Sequence, residues 1–212
     1  MFSDKDDCQT FINAFPSVQR SEKSVVREQL GLPQDVIIVG NAGWLIHRKA
    51  FDVFLNTAGR VAAENDQVHF FICGGGELEE ELRKRVDELG IGDRVHWGGW
   101  VSQMKDFYSA IDILLFNTRF DCLPNSPMEA MNYGIPTVVS STYSGISEVL
   151  RHDIDGYYIE EHDEEKLKGF ILKLASDEAE YTRLSENGVE RMQALASPDQ
   201  HLLNLKGFLS LV

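Results

Sequence analysis

Two carboxylates, Asp121 and Glu129, bracket a helix start in the stretch RFDCLPNSPMEAMNYGIPTVVSS, residues 119–141. Asp121 falls in a proline-containing loop, and Glu129 falls just inside the helix. Asn125 or Ser126 suits the cap, Pro127 suits the first helical position, and Ser126-x-x-Glu129 fits a capping box. Glu129 thus has a structural role open to it, on even terms with ligand binding. The chemical alternative uses the same geometry. Unpaired N–H groups at a helix start attract an anion, and a carboxylate beside them accepts hydrogen bonds from hydroxyls.

A second stretch with chemical potential is GNAGWLIHRKAFD, residues 40–52, where no acid occurs between Gly40 and Lys49 while Arg48 and Lys49 are adjacent. Gly43 and its small neighbours would let backbone approach a phosphate, with Lys49 at a helix start. The competing account is an exposed basic pair at a loop end. Other motifs are weaker. CGGGE (73–77) lacks the Gly-x-Gly-x-x-Gly spacing of dinucleotide sites and reads as a tight turn. DIDG (153–156) lacks the later ligands of a calcium loop and reads as a β-turn. Six histidines form no His-Glu-x-x-His pattern, so no metal is expected.

The elements that must position these residues are legible as well. The short continuous apolar runs VIIV (36–39), VHFFIC (68–73), RVHW (94–97), ILLF (113–116) and TVVS (137–140) suit strands of a parallel sheet covered on both faces. Helical spacing lies between them, as in Phe51, Phe54, Leu55, Ala58, Val61 and Ala62. The alternation predicts an α/β, doubly wound, Rossmann-like domain with extra helices from about Asp163 onward. In the usual strand order 3-2-1-4-5, ligands bind beyond the carboxyl ends of strands one and four. The loops that follow those strands are the two stretches singled out above, so both face one crevice. Residues 1–22 read as a linker or remnant, and 23–212 as the domain.

Composition narrows the partners. The 212-residue chain carries 20 basic and 34 acidic side chains, a net charge of −14, which argues against nucleic acid. Cys8, Cys73 and Cys122 are odd in number and widely spaced, as in a reducing compartment. The polar, acidic start is unlike a signal peptide, and no apolar run has the length of a membrane span. A cytoplasmic location is expected.

With both loops in view, the chain resembles the C-terminal domain of a GT-B glycosyltransferase of the large retaining family 4, or group 1. The resemblance runs from Arg27 to Leu195 through REQLGLPQDVIIVGNAG, RKAFDVFLNTA, FFICGGGELEEELRK, VHWGGWVSQMKDFYSAIDILLFNT and, most specifically, DCLPNSPMEAMNYGIPTVVSSTYSGISEVL. It implies that the domain binds a nucleoside-diphosphate sugar without a divalent metal. Glu129 would hold the ribose hydroxyls, Lys49 the diphosphate, and Trp100 and Val101 would lie against the nucleobase. Asp121, with Cys122, Leu123, Pro124 and Asn125, would face the transferred sugar. Asp121, Lys49 and Glu129 would be the residues of the reaction, and Gly43, Trp44 and Arg48 would complete the donor site.

The pattern departs from the family at three positions. Trp44 replaces an arginine five positions before the lysine, with Arg48 a candidate substitute. Asp121 is one methylene shorter than the family's glutamate, and Ala50 replaces a glycine. The family's acceptor-binding N-terminal domain has no counterpart in these residues, so it is expected in cis or as another chain, and little transfer is expected without it. In a full-length enzyme, peripheral association with a membrane is compatible with this reading, and polysaccharide synthesis is the expected setting. The alternatives are a non-catalytic nucleotide-sugar-binding module and a nicotinamide-dependent enzyme, the latter opposed by the missing glycine fingerprint.

Overall fold

A computed structural model describes residues 12–209, and Cys8 lies outside them. The expected strands all form: β1 (Ile37–Ala42), β2 (Val68–Cys73), β3 (Val95–Gly99), β4 (Ile113–Thr118) and β5 (Thr137–Ser141); β2 has the expected bounds, and the other four run one to three residues further at their carboxyl ends. A sixth, β6 (Tyr157–Ile159), was not anticipated. The sheet is parallel throughout, in the order β3-β2-β1-β4-β5-β6. The crossover therefore leaves β1 and β4 adjacent, as the sequence pattern predicts. Their carboxyl ends open into the same crevice, where the outward and return windings of the chain diverge.

Helices cover both faces. One apolar cluster packs α2 (Phe51–Ala62), α3 (Glu79–Leu89) and α6 (Glu164–Ser176) against the sheet through Phe54, Leu55, Phe70, Leu115 and Leu167. The other sets α1 (Lys23–Gln29), α4 (Met104–Ala110) and α5 (Asn125–Asn132) against Ile38, Phe71, Phe107, Leu114 and Met128. Two further helices, α7 (Glu178–Ala196) and α8 (Pro198–Leu209), close the chain. This two-sided burial explains why the strands read as continuous apolar runs rather than alternating ones. Asp163 caps α6 by accepting from the Glu165 and Lys166 amides, which fixes the change to helical pattern at that point.

One buried ion pair, not visible in the pattern, ties α1 to the sheet. Arg27, 2% exposed, reaches Asp112 at 2.6 Å and also donates to the carbonyls of Ala110, Gln34 and Val36. Asp112 in turn accepts from the Ile38 amide at 2.7 Å, so every group taken from water is partnered. Ahead of α1, residues 12–22 run without regular structure along the domain. The Phe15 amide donates to Ala196, Asn132 to Pro16, and Arg20 to Ile111.

The DIDG segment turns at residues 153–155, as expected: the Ile154 amide donates to the Arg151 carbonyl at 3.1 Å, and the buried Asp155 carboxylate is taken by Arg151 at 2.6 Å. Arg83, Lys84 and Arg85 pair with Glu79 and Glu88 along the solvated face of α3.

Candidate functional site

The loop after β1 and the loop after β4 are stitched together by backbone and by one arginine. The Arg119 amide donates to the Arg48 carbonyl at 2.8 Å, and the Thr118 hydroxyl to the same carbonyl at 3.1 Å. The Arg119 guanidinium then holds the His47 carbonyl and both oxygens of Asp52. Burial works to raise the Asp52 carboxyl, but this fork outweighs it and holds the group below its ordinary range. Arg119 and Asp52 were not singled out from the sequence. Their pairing spans 67 positions, and neither carries a motif.

Held this way, Lys49 points into the crevice. Its Nζ lies 2.6 Å from Asp121 Oδ2 and 5.4 Å from the centre of the Phe116 ring. Arg48 stands beside it, donating to the Phe120 carbonyl at 3.0 Å and reaching Asp121 at 3.5 Å. Lys49 is not the first residue of α2. It ends a 3-10 turn, His47–Lys49, and Ala50 follows with φ 48°, before α2 begins at Phe51. That left-handed conformation is unusual for a residue with a Cβ, and it separates the Lys49 side chain from the helix. Asp121 is fixed from its other side by its own amide, which donates to Tyr143 at 3.0 Å.

The capping-box expectation fails. Pro124, with φ −71° and ψ 131°, starts α5 earlier, so Asn125 is its first residue and no side chain caps it. Pro127 is the third helical residue rather than the first. With prolines at 124 and 127, the first turn keeps only the Asn125 and Ser126 amides as donors, about half the usual number. Glu129 lies too far along the helix to reach back. Its carboxylate instead accepts from the Tyr108 hydroxyl at 2.6 Å.

Glu129 lines a cavity of about 340 Å³ together with Gly43, Gly74, Trp100, Val101 and Ser126. That is within the range of small-ligand pockets, on the order of 300–1,000 Å³. A larger depression of about 640 Å³ lies against α1, lined by Glu22, Arg27 and Gln34; it touches none of the crevice loops. At the cavity's rim Trp44 and Trp100 meet edge to face with ring centres 4.7 Å apart, and both are more than half exposed. Of the CGGGE segment, Cys73 and Gly74 line the cavity; the expected tight turn falls just after the glycines, at residues 77–78, because Gly74 and Gly75 are bonded to Gly99 and Leu45 instead. A Cβ on Gly74 would sit 1.9 Å from the Gly43 carbonyl oxygen, and Gly74 itself has φ 126°, so only glycine lets the two loops touch.

The structure thus brings Gly43, Trp100, Val101 and Glu129 to one cavity, and Arg48, Lys49 and Asp121 to one charged cluster. Cys122, Leu123, Pro124 and Asn125 form the connection from that cluster to the start of α5, and the Gly145 amide donates to Cys122 at 2.7 Å. Cys122 is an exposed free thiol, and Cys73 is buried. Among the described residues, no three His, Cys, Asp or Glu side chains gather where they could hold a metal ion, and no helix is long and apolar enough to cross a membrane.

The family profile of glycosyl transferases group 1 matches residues 22–191. The chain belongs to this family. The lipopolysaccharide core biosynthesis glycosyltransferase LpsD of Rhizobium meliloti is 31% identical over 174 residues, 82% of this chain and 49% of that protein. The mannosylfructose-phosphate synthase of Agrobacterium fabrum is 25% identical, over 86% of this chain and 42% of that protein. The chain spans about half the length of such relatives. In fold it is similar to Anabaena HepE, solved in complex with UDP, with a TM-score of 0.87 at 19% identity, covering 96% of this chain and 57% of that one. It also matches the C-terminal domain of the group 1 protein LpcC from Francisella tularensis, with a TM-score of 0.77 at 14% identity, covering 88% of this chain and 99% of that one. The fold of this glycosyltransferase-family domain is that of the C-terminal half of a GT-B enzyme.

Proposed function

We propose that this domain is the donor half of a retaining glycosyltransferase, binding a nucleoside-diphosphate sugar in the crevice between the β1 and β4 loops. The observation that carries this reading is the placement of Lys49, Asp121 and Glu129 along one crevice, with the free amides at the start of α5 beside them. The nucleobase lies in the cavity against Trp100 and Val101, with Trp44 at its rim. The ribose hydroxyls meet Glu129. The diphosphate is received by Lys49, Arg48 and the amides of Asn125 and Ser126, and the sugar extends toward Asp121 and the segment Cys122–Asn125.

As the glycosidic bond breaks, the departing nucleoside diphosphate gains negative charge. Lys49 and the fixed amides are placed to stabilise that charge, in the manner of a preorganised electrostatic site. No divalent metal takes part in this scheme. The acceptor is bound by a second domain, in cis or on another chain, and without it transfer is slow or absent. The setting is cytoplasmic, with polysaccharide synthesis as the pathway class. A second reading, a non-catalytic nucleotide-sugar binder, draws on Trp44, which leans on Trp100 where the family has an arginine. Restoration of transfer by supplying the other half separates the two.

The test is thermal unfolding with UDP, GDP, ADP, CDP and NAD in turn. A ligand at a hundred times its dissociation constant adds about 2.7 kcal/mol, a rise of roughly 5–10 °C for a chain of this size. One diphosphate should give that rise and Lys49→Ala should abolish it while leaving the nucleoside's weaker effect. Equal losses for diphosphate and nucleoside would remove Lys49 from the diphosphate site, and no rise with any of them would overturn donor binding by this domain.

A further inference from the structure

Among the described residues, Glu129 is neither a cap nor half of an ion pair. Among the described residues its carboxylate makes one side-chain hydrogen bond, from Tyr108 of α4 at 2.6 Å. The same hydroxyl lies 3.4 Å from the Ser126 carbonyl, so one phenol touches two residues that line the cavity. The Tyr108 ring has little freedom. It is 1% exposed, stacks on Tyr133 at the end of α5 with centres 5.0 Å apart, and meets Phe107 edge-on at 5.2 Å. Phe107 is itself held against Phe71 of β2 at 5.8 Å. The hydroxyl is therefore referenced to the sheet through a chain of rings, and Glu129 to the hydroxyl.

We infer that Tyr108 is a positioning residue: its hydroxyl fixes one Glu129 oxygen so that the other is presented to the vicinal hydroxyls of a ribonucleotide. A glutamate has three side-chain torsions, and on a helix surface they would sample several rotamers. Immobilising them before the ligand arrives lowers the ordering cost of binding. Burial, together with the Glu129 charge, pushes the Tyr108 phenol far above its ordinary range, so it remains a donor at any working pH. The inference rests on the donor reading given above, and its test separates the two.

Isothermal titration would compare the tightest binder among UDP, GDP, ADP and CDP with its 2′,3′-dideoxy analogue, on the wild type, Tyr108→Phe, Glu129→Ala and the double variant. Tyr108→Phe should weaken the ribonucleotide about tenfold, equivalent to about 1.4 kcal/mol, and the dideoxy analogue less than twofold. In the Glu129→Ala background, Tyr108→Phe should cost less than twofold, because coupled residues lose their effect when the partner is gone. Equal weakening of both ligands, or an undiminished loss without Glu129, would show that Tyr108 acts through packing and overturn the inference. A wild type that binds the ribonucleotide no better than the dideoxy analogue would overturn the ribose role of Glu129 and leave the diphosphate site standing. A wild type that binds none of the four would overturn the donor reading itself, and the inference with it.

Discussion

Replacing Asp121 by asparagine should strengthen binding of a free nucleoside diphosphate, although it removes a residue of the proposed site. Lys49 Nζ is 2.6 Å from Asp121 Oδ2, with the two side chains 17% and 16% exposed. A phosphate oxygen received by the same ammonium would sit about 2.8 Å from it on another side. The carboxylate and the phosphate are then on the order of 5 Å apart. Coulomb's law gives a repulsion of about 1 kcal/mol there in water and about 3 kcal/mol at an effective dielectric of 20. Asparagine keeps an oxygen that can accept from Lys49 and removes the charge. UDP should therefore bind roughly tenfold more tightly to Asp121→Asn, with the gain shrinking as salt is added. The free protein should lose about 1–3 kcal/mol, between the values for exposed and buried ion pairs. Titration calorimetry with UDP at two salt concentrations, paired with thermal unfolding, reads both quantities. If Asp121→Asn weakens UDP, Asp121 does not compete with the diphosphate for Lys49, and the proposed division of the crevice is wrong.

Other outcomes follow from local geometry. Ala50 sits at φ 48°, a conformation that costs a residue with a Cβ about 1–2 kcal/mol. Ala50→Gly should be near neutral in denaturant unfolding, whereas Ala194→Gly, within α7, should cost about 1 kcal/mol; equal losses would mean that Ala50 is not strained. His69 and His96 meet ring nitrogen to ring nitrogen at 3.0 Å on β2 and β3. Burial, aided by Arg94 for His69 and by His69 for His96, holds both below the ordinary 6.5. The unfolded chain then binds protons first, so stability should fall as pH drops from about 7 toward 5. Changing both histidines to glutamine should flatten that slope, and an unchanged slope would place its origin elsewhere. Addition of EDTA should leave the ligand-induced rise in unfolding temperature unchanged, and a strong loss would require a metal in the site.

Most of the fold was legible because burial on both faces writes the central strands as apolar runs, as in ILLF at the start of β4. β6 escaped because it has three residues, of which only Tyr157 is fully buried. The site was legible at the level of loops. Lys49, Asp121 and Glu129 carry unusual chemistry on loops and a helix whose convergence follows from strand order. What held them in place was not. Tyr108 lies 21 positions from Glu129, and in sequence it is one more apolar position of a short helix. The helix start was misread because two candidate caps, Asn125 and Ser126, follow Pro124, and the proline's fixed φ, rather than a hydrogen-bonding side chain, decided where the helix began.

The departures from the family pattern turn out to be linked through one residue pair. With Trp44 at the position where the family pattern has an arginine, Arg48 and Lys49 supply the positive charge of the β1 loop, and both address Asp121. In a chain of net charge −14, an uncompensated positive pocket is expected to fill with a carboxylate, and a shorter acid held by its own backbone to Tyr143 serves as that internal counter-ion. The left-handed Ala50 is what turns Lys49 out of the helix so that the pairing can form. The left-handed Ala50, the shorter acid and Trp44 are thus three parts of one arrangement: a cationic lip whose Arg48 and Lys49 charges are partly offset by Asp121, and which in the proposed donor role receives a diphosphate as the incoming anion displaces or shares the carboxylate's hold on Lys49.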